Sequence, residues 1–154
     1  MSKNSKSSPE IHVDLFAPAS YTTVPIQCTS TTLKPDLCIF WPQERKITII
    51  ELTVPFEIYI NKAHERKSNK YAPLVSDIED RNYEVNLVCL EVGSRGYLSV
   101  DNEKRLKVIH DLTDKSVKFK DFKNTISKLA ILSSFSIFYA KNEPTWINPP
   151  TLKL

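Results

Sequence analysis

The chain has 154 residues, of which 41% are hydrophobic and 25% charged; this composition suits one domain with a real core and does not suggest two. Its net charge of +3 permits a polyanionic partner without requiring one, so a case for nucleic acid depends on local clusters. Cys28, Cys38 and Cys89 are isolated and odd in number, which argues against a disulfide framework and favours a reducing, intracellular compartment.

The two ends of the chain are predicted to be irregular. Residues 1–9 are polar and lack the apolar stretch of a signal peptide, which predicts a disordered tail. Residues 10–146 are the predicted domain, and residues 147–154 are an irregular C-terminal tail. At the start of the domain, residues 11–16 alternate like a strand, and residues 21–29 predict another short strand broken at Pro25.

Residues 34–53 predict a β-hairpin. Residues 37–41 and 46–54 are rich in β-branched and aromatic side chains, and the polar, proline-opened segment between them has the length of a hairpin loop. If Trp41 pairs with Lys46 across that loop, then Asp36 lies directly opposite Glu51 on one face of the hairpin. The other side chains of both faces are largely apolar, as expected for strands that are covered on two sides.

Two opposed carboxylates are the most unusual feature of this hairpin. Like charges directly opposite each other are destabilising, and a divalent cation between Asp36 and Glu51 would relieve the repulsion. The alternative is an ordinary Pro-Asp turn with a solvated glutamate at the end of a strand.

Residues 57–81 predict a helix. Positions 60, 63, 67, 71, 74 and 78 form an apolar stripe that Lys67 interrupts. That lysine either extends its stem along the apolar surface or aims its ammonium at something anionic near Asp36 and Glu51. Pro73 is expected to kink the helix or to restart it.

The next elements are a buried strand and a turn. Residues 83–92 form a largely apolar run, and this strand is predicted to be buried and to pair with the Glu51 strand in a parallel, right-handed arrangement. Both glycines follow it, at Gly93 and Gly96, which predicts a turn with positive φ or close backbone approach. Between them, Arg95 is placed either to meet a phosphate or to be solvated in a plain turn.

Residues 102–112 and 119–141 predict two further helices. The second becomes apolar nearly all round, so it is expected to be buried against the sheet, with Phe119, Phe122, Ile126 and Leu129 in the core. Its apolar run is too short and too rich in serine to span a bilayer, so no membrane partner is expected. A basic band here is either a solvated face or a track for a DNA backbone: Lys104, Arg105, Lys107, Lys115, Lys118, Lys120 and Lys123.

Four motifs occur in order along the chain: KPDL, ELTVPFE, AHERKSNKY and EVGSRGYL. In their order and spacing they resemble the restriction-like endonuclease domain of non-LTR retrotransposons, a branch of the PD-(D/E)XK nuclease superfamily. The likeness extends over residues 33–146. It implies an α/β fold of the restriction-endonuclease type, with a mixed central β-sheet flanked by α-helices.

The resemblance also implies a metal site. Asp36 and Glu51 match the acids that hold Mg²⁺, or Mn²⁺ in its place, and the backbone carbonyl of Leu52 is a further ligand. Thr53 occupies the position where the superfamily motif usually has lysine, so a cation is missing there.

Two lysines on the following helix, Lys67 and Lys70, are the candidates to supply this missing positive charge. Lys67 with Tyr71 also resembles the Gln-x-x-x-Tyr signature of RecB-like nucleases, with lysine in the glutamine position. Tyr71 then orients the site.

The implied activity is metal-dependent cleavage of DNA in the nucleus, by a chain that belongs to a larger polyprotein. The residues assigned to DNA binding are Lys34, Lys62, Arg66 and Arg95. One alternative is a catalytically inactive nucleic-acid-binding module; Thr53 in the lysine position favours it and retention of both acids opposes it. Another is a structural interaction domain without a role on nucleic acid.

Overall fold

A computed structural model describes residues 8–14 and 23–141. This part of the chain folds into a mixed α/β structure with four strands, three α-helices and one short 3-10 helix. The elements are β1 (Glu10–Val13), β2 (Leu37–Trp41), β3 (Lys46–Thr53), the 3-10 helix Glu57–Tyr59, α1 (Ile60–Asp80), β4 (Glu84–Glu91), α2 (Val100–Asp111) and α3 (Phe119–Ala140).

The strands lie in one sheet in the order β1-β2-β3-β4. Strands β2 and β3 form the predicted antiparallel hairpin, and Trp41 pairs with Lys46, as predicted from the loop length. The same register continues to Leu37 and Ile50 at the other end of β2. Since register decides which side chains share a face, the confirmed register fixes the positions of the acids that flank this end of the hairpin.

Strand β4 runs parallel to β3. At one end the Glu84 N–H donates to the Arg45 carbonyl at 2.8 Å, and at the other the Val92 N–H donates to the Thr53 carbonyl at 3.0 Å. Both bonds join residues with the same sequence separation, which only parallel strands allow. The sheet is therefore mixed, as predicted.

The N-terminal predictions are confirmed in part. Strand β1 covers the start of the predicted strand 11–16, whose last two residues lie outside the described ranges. The predicted strand at 21–29 is wrong over residues 23–29, which form bends and a turn; residues 21 and 22 are not described. Pro25 has no N–H for a ladder and its carbonyl accepts from the Cys28 N–H at 2.9 Å, so the chain turns back at this point.

The described residues form two compact units. One unit comprises the described residues up to Leu52 together with Glu65–Cys89, and the other comprises Thr53–His64 and the described residues from Leu90 onward. In the first unit, the hairpin face that carries Phe40 and Ile49 packs against α1. The buried side chains of this core are Val24, Cys28, Cys38, Phe40, Ile47, Ile49, Tyr71, Leu74 and Ile78.

Helix α1 confirms the predicted stripe. Its five apolar members are buried and Lys67 is partly buried. Pro73 does not restart the helix, which continues to Asp80. Because Pro73 lies on the exposed side, its ring is accommodated without disturbing the buried side chains on either side of it, Tyr71 and Leu74.

The core of the second unit consists of Leu90, Val92, Leu106 and Ala130. Phe119, Phe122 and Ile126 pack against it, which confirms their predicted core positions, and Leu129 is partly buried.

The prediction that α3 is buried along its length is wrong for its C-terminal half. Phe135 is 65% exposed, Phe138 72% and Tyr139 67%. An apolar composition on all sides predicts burial only where another surface covers each side, and the described residues leave this side uncovered. No helix in the described ranges is long and apolar enough to cross a membrane.

Candidate active site

Asp36 and Glu51 come together in the first unit. Asp36 directly precedes β2 and Glu51 lies near the end of β3, on the hairpin face that also carries Cys38 and Ile49. The Asp36 N–H donates to Glu51 Oε2 at 3.3 Å, and the Leu52 N–H donates to Asp36 Oδ2 at 2.7 Å. The two acids are therefore neighbours at one end of the hairpin.

Glu51 is held by two side chains of α1. Lys67 Nζ forms an ion pair with Glu51 Oε1, and the Tyr71 hydroxyl donates to Oε2 at 2.9 Å. Because Glu51 is only 3% exposed, its charge requires such partners inside the protein. This contact agrees with the second interpretation of Lys67, in which its ammonium points at an anionic group.

Lys70 contacts Tyr71 and not Glu51 itself. Its Nζ donates to the Tyr71 hydroxyl at 3.1 Å and lies 4.7 Å from the centre of that ring. The same hydroxyl is also 3.3 Å from the Lys34 carbonyl. Lys70 therefore reaches Glu51 only through Tyr71, whereas Lys67 contacts it directly.

The electrostatics of this group favour a cationic ligand. Burial raises the pKa of Asp36 above its ordinary value, and the Glu51 charge raises it further, although the Leu52 N–H and Lys67 act in the opposite direction. Burial, followed by the Glu51 carboxylate, also raises the pKa of Tyr71, so this residue stays a hydroxyl donor. Two neighbouring carboxylates with one directly paired lysine leave a negative charge that a cation would balance.

The oxygen ligands fit a small hard cation in part. Within the described ranges no group of three or more His, Cys, Asp or Glu residues could hold a metal ion. Mg²⁺, however, is commonly bound through one or two carboxylates, with water and substrate phosphate oxygens completing its shell. Asp36, which is partly exposed, and neighbouring Glu51 supply the two carboxylates for such a site. Leu52 contributes its N–H to Asp36, and a ligand role for its carbonyl stays a prediction.

Thr53 carries no charge and cannot replace the lysine of the superfamily motif. Its Oγ1 is buried and has no hydrogen-bond partner among the described residues. Of the two candidate replacements on α1, Lys67 is the one in direct contact with a predicted metal ligand.

The turn after β4 confirms both expectations for its glycines. Gly96 has φ of +80°, and a Cβ on Gly93 would lie 2.7 Å from Glu57 Oε1. Arg95, however, is paired within the protein: its N–H and its Nε donate to the two Glu57 oxygens at 2.8 and 3.0 Å. A phosphate at Arg95 would have to compete with that carboxylate.

The other predicted DNA-binding residues are spread over the surface. Lys62 and Arg66 are exposed on α1, and Lys34 is partly buried. Four lysines of the basic band are paired with acids at the surface, which favours the solvated face: Lys104 with Asp101, Lys107 and Lys115 with Asp111, and Lys123 with Glu103. Arg105 instead lies 3.5 Å from the buried carboxylate of Glu91.

A second polar cluster, in the second unit, was not predicted. Glu91 is fully buried, and His64 Nδ1 lies 3.1–3.2 Å from its carboxylate oxygens, while an Arg105 nitrogen lies 3.5 Å away. Burial raises the pKa of Glu91, against the effect of His64 and Arg105. The sequence offered one signal for this cluster, an acid at the end of a largely apolar strand. The partners of that acid come from two helices, His64 from α1 and Arg105 from α2.

Comparison with protein-family models, with curated proteins and with solved structures finds no match. The resemblance to retrotransposon endonucleases therefore stays a prediction from the four sequence motifs.

Proposed function

We propose that this protein is a metal-dependent endonuclease that hydrolyses phosphodiester bonds in DNA. One observation carries the proposal: Asp36 and Glu51 are neighbours, and a lysine and a tyrosine of α1 bind the carboxylate oxygens of Glu51. Two acids and an amine in one cluster are the groups that phosphoryl transfer to water requires.

Asp36 and Glu51 are the residues that would hold Mg²⁺ or Mn²⁺. A cation bound there supplies Lewis-acid stabilisation of the phosphate and a water activated for attack. The chain itself positions the carboxylates: the Leu52 N–H fixes Asp36, and the Tyr71 hydroxyl fixes Glu51. Both acids are thus oriented before substrate arrives, which avoids reorganisation during the reaction.

Lys67 supplies the positive charge that Thr53 does not. Its ammonium lies at Glu51, where charge would build up on the phosphate oxygens, and a fixed cation is most effective where charge develops. Lys70 supports this arrangement through Tyr71. The products would carry a 5′-phosphate and a 3′-hydroxyl.

The biological setting follows from the motif resemblance alone. In retrotransposons of this kind the 3′-hydroxyl primes reverse transcription, which would place this chain on nuclear DNA within a larger polyprotein.

A catalytically inactive nucleic-acid-binding module is the second candidate. Two observations favour it: the lysine position holds uncharged Thr53, and both oxygens of Glu51 already have protein partners. Retention of two neighbouring acids favours the enzyme, since carboxylates repel a polyanion unless they hold a cation.

Supercoiled plasmid incubated with the protein separates these candidates. We expect nicked or linear DNA with Mg²⁺ or Mn²⁺, intact plasmid with EDTA, and new ends that a ligase can rejoin because they carry a 5′-phosphate and a 3′-hydroxyl. Plasmid that is retarded on a gel but stays intact with both metals would identify the inactive module. Plasmid that is neither cut nor retarded would contradict both.

A further inference from the structure

Helix α3 has a second apolar side that no described residue covers. Its inner side contributes Ala130 to the core of the second unit. On the outer side, five residues follow the i, i+1, i+4, i+7, i+8 spacing that places them on one face of a helix. This outer stripe consists of Ile131, Leu132, Phe135, Phe138 and Tyr139.

The stripe is exposed and uncharged. Its members range from 40% exposed at Leu132 to 72% at Phe138. No Asp, Glu, Lys or Arg occurs in residues 129–140, whereas the first ten residues of the helix contain Lys120, Asp121, Lys123 and Lys128. A solvated helix face normally carries charges, so the C-terminal half of α3 differs from an ordinary outer surface.

A turn of the same unit borders the stripe and makes a groove. Three of the stripe residues, Ile131, Phe135 and Phe138, line it, and the groove has a volume of about 580 Å³. Ser94, Arg95 and Ser134 also line it. The turn is packed tightly on the helix, because a Cβ on Gly96 would lie 2.9 Å from Ile131 Cδ1. The turn and the helix therefore lie in contact along one edge of the groove, and its volume is sufficient for a side chain.

The exposed area is large enough for a specific interface. A Phe or Tyr side chain has about 150–250 Å² of surface, so the three aromatic members alone expose on the order of 400 Å². With Ile131 and Leu132 added, the stripe exposes more than the roughly 500 Å² per partner that a specific interface needs, although less than the roughly 800 Å² of a standard one.

We propose that the outer stripe of α3 binds the same stripe on a second copy of this chain. A two-fold interface brings one patch against itself, so a charged patch would meet like charge, whereas an uncharged apolar patch is complementary to itself. Phe135 lies in the middle of the stripe, next to the groove that would receive an aromatic ring of the other copy. This inference does not depend on the proposed nuclease activity.

The charge of the groove opposes a nucleic-acid occupant. Among the described residues that line the groove, Arg95 is the one cation, and Glu57 already pairs with it. The Arg95 N–H lowers the pKa of Glu57, so this carboxylate is ionised beside the guanidinium at neutral pH. Phosphates bind where cations are available to neutralise them, and the described part of this groove offers none that is unpaired.

Sedimentation equilibrium of the full chain over a concentration series tests the proposal. We expect a monomer–dimer equilibrium, and we expect Phe135→Glu and Phe138→Glu each to weaken dimerisation by tenfold or more, roughly the range of a central interface residue. Ile58→Glu is the matched control, because Ile58 is 74% exposed in the same unit but lies outside the stripe. Circular dichroism should be unchanged in all three variants, since the altered side chains are exposed.

Two results would overturn the proposal. The first is a full chain that stays monomeric at every concentration; if a chain ending at Lys141 then dimerises, the C-terminal residues are the occupant of the stripe. The second is equal dissociation in the Ile58→Glu control. If the chain is monomeric and Phe135→Glu weakens binding of a single-stranded oligonucleotide, the stripe is a surface for stacking bases instead.

Discussion

Asp36→Asn and Glu51→Gln should each lower the rate of DNA cleavage by about a thousandfold, equivalent to about 4 kcal/mol in the transition state. Each change keeps the shape of the side chain and removes one of two neighbouring carboxylate charges. A cation that stabilises phosphate charge is then bound more weakly and held less firmly. The measurement is the single-turnover rate of plasmid nicking in Mg²⁺.

The control for this pair is an acid outside the site. Asp114 lies in the exposed segment between α2 and α3, and Asp114→Asn should cleave at the wild-type rate. All three variants should bind a DNA duplex within a few-fold of wild type, because the change affects the reaction more than the affinity. Near-normal nicking by either Asp36→Asn or Glu51→Gln would show that these acids do not form the active site.

Lys67→Met should lower both turnover and stability. The substitution leaves Glu51, which is 3% exposed, without its ion-pair partner, and breaking a buried pair from one side costs about 3 kcal/mol in the free energy of unfolding. Turnover should fall further than DNA affinity, because the ammonium acts where phosphate charge develops. Urea unfolding measures the first effect, and kcat compared with Kd for DNA measures the second.

Two matched lysines show whether Lys67 is special. Lys70→Met removes an exposed ammonium that contacts Tyr71 rather than Glu51, so its losses should be smaller. Lys62→Met removes an exposed charge on the same helix and should affect only salt-dependent DNA binding. If kcat falls in Lys70→Met and is unchanged in Lys67→Met, the assignment of Lys67 as the catalytic lysine is wrong.

The hairpin and the site around it were predictable because local rules determine them. A four-residue loop set the register of β2 and β3, and the two-residue period of a strand then placed Asp36 and Glu51 on one face. The helical period placed Lys67 and Tyr71 on the buried side of α1. These rules act over a few residues, so the sequence alone specifies their outcome.

The contacts that were not predicted join residues far apart in sequence. Glu57 binds Arg95, and His64 binds Glu91, but neither pairing leaves a trace in local periodicity. Helix α3 shows the same limit: its pattern indicates which faces are apolar, whereas burial depends on which other surface covers each face. The choice between Lys67 and Lys70 likewise needed the position of β3 relative to α1 within the first unit.

Asp36→Asn also has an expected effect without metal. Because folding raises the pKa of Asp36, the ionised carboxylate costs stability at every pH above its unfolded pKa, and that cost is relieved as pH falls and the group is protonated. Asparagine can still accept the Leu52 N–H and carries no charge. In EDTA at neutral pH the variant should therefore be more stable than wild type, by roughly 0.2–1 kcal/mol for a cross-strand charge pair.

Thermal unfolding of wild type and Asp36→Asn across a Mg²⁺ titration tests most directly whether the two acids form a cation site. A ligand that binds the folded state adds RT ln(1 + [L]/Kd) to its stability. We predict that wild type melts below the variant in EDTA, that its midpoint rises with Mg²⁺, and that the midpoint of the variant barely moves. A wild-type midpoint that Mg²⁺ leaves unchanged, or a variant that responds as fully as wild type, would contradict a metal site at Asp36 and Glu51.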